Sequence, residues 1–180
     1  MKYYHYCKED AYPKHHHNRC DKGITVNVNC GRDEDQDETA AFRAVNNQEQ
    51  RIDEVGVFDK VLFQTEQFDI GNIYNANNST FVPRKDGVYY VAGTVSFLPD
   101  NTTEDYRVRV EIRVNGVSVA ADNDYWGEID QPFLFVNAIN VSTILQLEAG
   151  DLVEVFITST TPGVIQTNVP DFSTRFEAKL

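Results

Sequence analysis

Residues 107–119 read Arg107-Val108-Arg109-Val110-Glu111-Ile112-Arg113-Val114-Asn115-Gly116-Val117-Ser118-Val119. Val108, Val110, Ile112 and Val114 alternate with Arg107, Arg109, Glu111 and Arg113, and a period of two places these sets on opposite faces of a strand. Asn115-Gly116 supplies the two positive φ angles of a type I′ turn, after which Val117 and Val119 resume the alternation. The reading is a β-hairpin whose valines face a core and whose arginines face water or another subunit.

Working outward, the same pattern recurs at 57–63, 87–98, 133–147, 152–158 and 172–180, where runs rich in Val, Ile, Phe, Tyr and Thr are separated by Gly, Asn, Asp and Pro. No stretch carries a helical period. Many short strands at close spacing predict an all-β chain, a sandwich or jelly roll. A domain of about 140 residues buries about 70% of its unfolded surface, enough for a core without disulfides.

The chain carries 16 Lys and Arg against 28 Asp and Glu, a net charge of −12. That charge repels phosphate backbones and anionic lipid, so nucleic acid is not an expected partner. No apolar run approaches the roughly 20 residues of a membrane span, and Met1 to Cys7 lack the apolar stretch of a secretory signal.

Cys7, Cys20, Cys30 and His5, His15, His16 and His17 all precede residue 31, and the acidic run from Asp33 to Glu38 follows. This asymmetry divides the chain into a Cys/His/Tyr-rich flexible tail, 1–38, ending in an acidic linker, and a β domain, 39–180. Within the tail, Ile24 to Asn29 alternates like a strand that needs a sheet to join. Thiolates and imidazoles suit zinc, although the close Cys pairs of a zinc finger are missing. An odd number of cysteines leaves at least one thiol available to another chain, so Cys7, Cys20 and Cys30 are candidates for cross-linking. A tail serving only as a linker is the third reading.

Phe63, Asp69, Tyr74, Phe81, Gly87 and Tyr89 stand at the separations of the C1q/TNF-like signature, which this segment resembles. Ala40 to Ala44 looks like that family's first strand, Val57 to Val61 its second, Asn115-Gly116 its central hairpin, Leu147 to Val153 its Leu…Gly-Asp-x-Val segment and Phe172 to Phe176 its closing strand. After Tyr89 the family has aromatics where this chain has Val91 and Gly93, which implies a core repacked with smaller residues. The resemblance implies a jelly roll of about ten strands that assembles as a homotrimer, and binding in place of catalysis. No Gly-X-Y collagen stalk precedes the domain, so the chain resembles short-tailed bacterial C1q-domain proteins of the spore surface. The residues of the signature read as structural, with Gly87 at a turn or packed strand entrance where a Cβ is poorly tolerated.

The domain contains neither His nor Cys, which removes a Ser-His-Asp triad and a thiol nucleophile, and no enzyme activity is expected. Asp122 to Asp130 is its most unusual segment and holds its sole Trp. Asp124, Tyr125, Trp126 and Glu128 are the candidate contact residues. The aromatics could anchor a partner, the oxygens could hold calcium, or a ring could simply pack beneath a loop. Glu128 with Asp130 beside Trp126 is the one arrangement that would suit a glycosidase, but loop acids are ordinarily solvated. No metal-ligand set is assigned.

Two functions are consistent with these features. The first is a trimeric structural head joined through its tail to the proteins of a cell or spore surface layer. The second is a soluble trimeric module that recognises a carbohydrate or protein ligand through its loops.

Overall fold

Alternating apolar positions can be buried only if two sheets close on each other, and the computed structural model shows that arrangement over residues 39–127, 136–167 and 174–180, which it describes. The strands are β1 (Ala41–Val45), β2 (Gln50–Ile52), β3 (Asp59–Lys60), β4 (Thr65–Ile70), β5 (Tyr74–Asn75), β6 (Thr80–Phe81), β7 (Gly87–Pro99), β8 (Tyr106–Val114), β9 (Val117–Trp126), β10 (Asn137–Leu147), β11 (Val153–Ser159), β12 (Gly163–Ile165) and β13 (Arg175–Lys179). No helix occurs among the described residues. Five of the thirteen strands are two or three residues long, which accounts for the excess over the ten or so expected.

One sheet runs β2-β12-β7-β13-β1-β4, with β10 along the other edge of β7; the second runs β5-β6-β11-β8-β9, with β3 also on β11. Every pair is antiparallel. Between the sheets lies an aromatic core. Phe42 stacks on Tyr74 with ring centroids 4.5 Å apart and meets Phe176 edge-on at 5.1 Å, while Phe81 meets Tyr89 at 5.5 Å. Such pairs contribute about 0.5–1.5 kcal/mol each beyond their buried area.

The signature residues each have a mechanical role here. Asp69 accepts hydrogen bonds from the backbone N–H groups of Ile73 and Tyr74, at 2.9 and 3.0 Å, and so holds the turn into β5. The Tyr74 hydroxyl donates to the Phe63 carbonyl at 2.8 Å, and the Tyr89 hydroxyl to that of Lys85 at 3.0 Å. Phe63, Phe81 and Tyr89 are fully buried. Gly93, where the family carries an aromatic, leaves room that Val155 fills, with its Cγ2 3.0 Å from where a Cβ would stand.

The hairpin forms at Asn115-Gly116, both with positive φ, but two of its valines are corrected. Val108, Val110 and Ile112 are buried, whereas Val117 and Val119 are exposed. A bulge between Ile112 and Arg113 pairs Ile112 with Ala120, so Val119 is displaced from the core position that an unbroken register would give it. Of the segment 57–63, only Asp59–Lys60 forms a strand, although Val61 and Phe63 still reach the core. At Gly87 a Cβ would meet only the end of the Leu180 side chain. The crowded position is Gly163, where a Cβ would meet the Phe97 ring and the Leu98 carbonyl. Cys7, Cys20, Cys30 and Glu128 lie outside the described residues, as does the division at residue 38.

Candidate functional site

Of the segment singled out by its composition, Asp122 to Asp130, residues 128–130 lie outside the described residues, and Asp122 to Trp126 form the end of β9, an edge strand and not a loop. Strand alternation therefore separates its side chains. Trp126 stands opposite Tyr106 and Asp124 opposite Val108, on the core side, while Tyr125 stands opposite Arg107 on the outer side. Trp126 packs against the core. Tyr125 is exposed, and its hydroxyl donates to Asp105 Oδ2 at 2.7 Å. That acceptor and its negative charge raise the Tyr125 pKa above its ordinary value. Tyr106 is pushed up to about 12, mainly by burial, with the adjacent Asn137 opposing the shift. Among the described residues no three His, Cys, Asp or Glu side chains come together to hold a metal ion.

The outer faces of the two sheets differ in their chemistry. On the seven-stranded sheet, the register lines up Ile144, Tyr90, Lys179, Ala41 and Ile70 in one cross-strand row and Ser142, Ala92, Glu177, Arg43 and Phe68 in the next. Val88, Tyr90 and Ile144 are 59%, 47% and 69% exposed, and Phe68 and Ile70 are exposed beyond them. Glu177 lies between Arg43 and Arg175, at 3.4 and 3.5 Å, and Arg51 on β2 pairs with Asp53 and Asp100 at 2.8 and 2.7 Å. The sequence offered a clue, since both alternating sets of β7 are apolar or neutral: Tyr89, Val91, Gly93, Val95 and Phe97 inward, and Val88, Tyr90, Ala92, Thr94 and Ser96 outward. Of the outward set Val88 and Tyr90 are exposed, whereas Ala92, Thr94 and Ser96 are buried within the chain.

The six-stranded sheet shows the opposite chemistry. Arg107, Arg109, Glu111 and Arg113 share the outer face of β8. Glu111 is only 5% exposed and accepts from Arg109 Nε at 2.6 Å and from Arg113 Nε at 2.9 Å. Burial pushes its carboxyl up, but the two guanidinium groups outweigh burial and hold it below the ordinary glutamate value. Arg113 is further sandwiched by Phe58 and Phe156, whose ring centroids are 4.4 and 4.3 Å from its guanidinium carbon.

No family model and no curated protein matches the chain. Among solved structures, mouse APRIL at pH 8.5 is 13% identical, with a TM-score of 0.54 over 79% of this chain and 99% of that one. Mouse APRIL at pH 8.0 is 12% identical, with a TM-score of 0.54 over 78% and 98%. The globular domain of zebrafish complement 1qA protein is 15% identical, with a TM-score of 0.48 over 78% and 93%. The likeness to APRIL extends over nearly the whole of that chain, and the fold of the described residues is the C1q/TNF-like jelly roll.

Proposed function

We propose that the chain is a non-enzymatic assembly protein whose head, residues 39–180, associates as a homotrimer through the outer face of the seven-stranded sheet. Residues 1–38 join that head to the proteins of a cell or spore surface layer. The observation that carries the reading is the exposed group Val88, Tyr90 and Ile144 on the paired strands β7 and β10. Scattered exposed apolar residues need no explanation, but a contiguous patch on a sheet face is stabilised by covering it. The threefold order is what the C1q/TNF-like resemblance implies. The cysteines Cys7, Cys20 and Cys30 support a separate covalent link between chains.

Tyr90→Asp combined with Ile144→Asp tests the assembly in the full chain. The native mass should fall from three chains to one while the circular dichroism of the folded head is retained, and an unchanged mass contradicts the reading. Replacing Cys7, Cys20 and Cys30 by Ser should abolish multimers on non-reducing gels and leave the native mass intact. Fractionation of source cells and spores, with and without reductant, tests the attachment.

A further inference from the structure

On the outer face of the six-stranded sheet, a shallow depression of about 270 Å³ is lined by Arg107, Arg109, Thr158, Ser159 and Thr160. It lies away from the assembly face and is built by register. Arg109 stands opposite Thr158. Arg107 N–H donates to Thr160 Oγ1 at 2.8 Å, and Thr160 N–H to the Arg107 carbonyl at 2.9 Å. Tyr125 stands opposite Arg107 on its other side. Residues directly opposite in an antiparallel pair share a face, so two arginine and two threonine side chains line the depression.

Charge distinguishes this place from the rest of the molecule. The chain as a whole is at −12, yet β8 presents three arginines against one glutamate. Arg113 and the Nε of Arg109 are committed to Glu111. The Arg107 side chain makes no ion pair among the described residues. Thr158 Oγ1 is buried without a hydrogen-bond partner, an arrangement that proteins rarely leave uncompensated. A positive depression on an acidic surface draws anions to itself.

The shape of the donors narrows the ligand. A guanidinium fork matches a planar carboxylate through two parallel N–H donors. Threonine hydroxyls beside it can exchange hydrogen bonds with sugar hydroxyls. The volume is just below the ~300–1,000 Å³ of pockets that take drug-sized ligands, which suits a single sugar residue. We propose that this depression binds an acidic sugar residue, a uronic acid, with Arg107 engaging its carboxylate and Thr158 and Thr160 its hydroxyls. The inference goes beyond assembly and does not depend on it.

The test is a shift titration of the full chain by nuclear magnetic resonance at fixed ionic strength, using glucuronate, glucose and inorganic phosphate in separate arms. Glucuronate should give saturable shifts at 107–109 and 158–160, glucose none, and phosphate a response weaker by about tenfold or more. Arg107→Gln should weaken glucuronate binding by about tenfold or more, and Thr158→Val by about threefold, as expected for a charge-assisted and a neutral hydrogen bond. Arg107→Gln should leave the native mass unchanged, which separates failure here from failure of the assembly reading. No saturable response to glucuronate, equal binding of phosphate, or unaltered binding by Arg107→Gln would each overturn the proposal.

Discussion

The two outer faces of the sandwich are made from the same strand grammar and end with opposite chemistry. The seven-stranded face shows Val88, Tyr90 and Ile144 to solvent on β7 and β10, with Arg43, Arg175, Glu177 and Lys179 on the adjoining β13 and β1 and Arg51 on β2. The six-stranded face carries an arginine ladder on β8, anchored on a buried glutamate and stacked rings. Both faces cover the same aromatic core, so the core does not require the difference. A group of exposed apolar side chains is suited to another protein surface, and an arginine without an ion pair is suited to water or an ionic ligand.

The sharpest comparison of the two faces places the same charge on each. Val88 and Val117 are strand valines of similar exposure, 59% and 67%, one on the seven-stranded face and the other at the hairpin tip. Val88→Glu should weaken association by about thirtyfold or more, the effect of losing an interface anchor of about 2 kcal/mol. Val117→Glu should leave it unchanged. Sedimentation across a dilution series measures both, and equal behaviour of the two variants would erase the distinction between the faces.

Next come the glycines beneath the seven-stranded face. Gly163→Ala drives a methyl against the Phe97 ring and the Leu98 backbone, and should cost about 3 kcal/mol in denaturant unfolding. Gly87→Ala meets only the movable end of Leu180 and should cost about 0.5 kcal/mol or less. Reversal of that order would show that β12 does not pack as described.

A smaller effect belongs to the charged face. Glu111→Gln weakens the bond to both arginines and should cost about 2 kcal/mol, below the ~3–5 of a wholly buried pair because Arg109 and Arg113 are partly solvated. The folded carboxyl lies below the ordinary 4.5, so its contribution is complete above that pH and is lost as pH falls through the lower folded value. Thermal melts should therefore show a steeper acid loss for the parent chain than for Glu111→Gln, and parallel curves would contradict the ion-pair geometry. Smallest of all, Tyr125→Phe removes an exposed hydrogen bond to Asp105 and should change stability by about 0.5 kcal/mol or less.

How much of this was readable beforehand depends on the range of the interaction. The hairpin at Asn115-Gly116 and the alternation of β7, β8, β10 and β11 are local, and the sequence carries them openly. Phe63, Asp69, Tyr74, Phe81, Gly87 and Tyr89 were recognisable by spacing because each spacing is fixed by a turn or core contact, such as the Asp69 bonds to Ile73 and Tyr74. The bulge after Ile112 was invisible, since nothing in Val117-Ser118-Val119 distinguishes a shifted register from an unbroken one, and it alone exposes Val119. Composition grouped Asp124, Tyr125 and Trp126, but strand alternation puts Tyr125 on the face away from the other two. The depression beside Arg107 combines β8 with residues some fifty positions later, a proximity that only sheet topology creates.

The central claim, that the seven-stranded face is an interface between copies of the chain, is tested most directly by the mass of the reduced full chain in solution. With reductant present, light scattering at micromolar concentration should give three times the 20.5 kDa chain mass, held by apolar burial and indifferent to the thiols. A single-chain mass of 20.5 kDa under those conditions would contradict it.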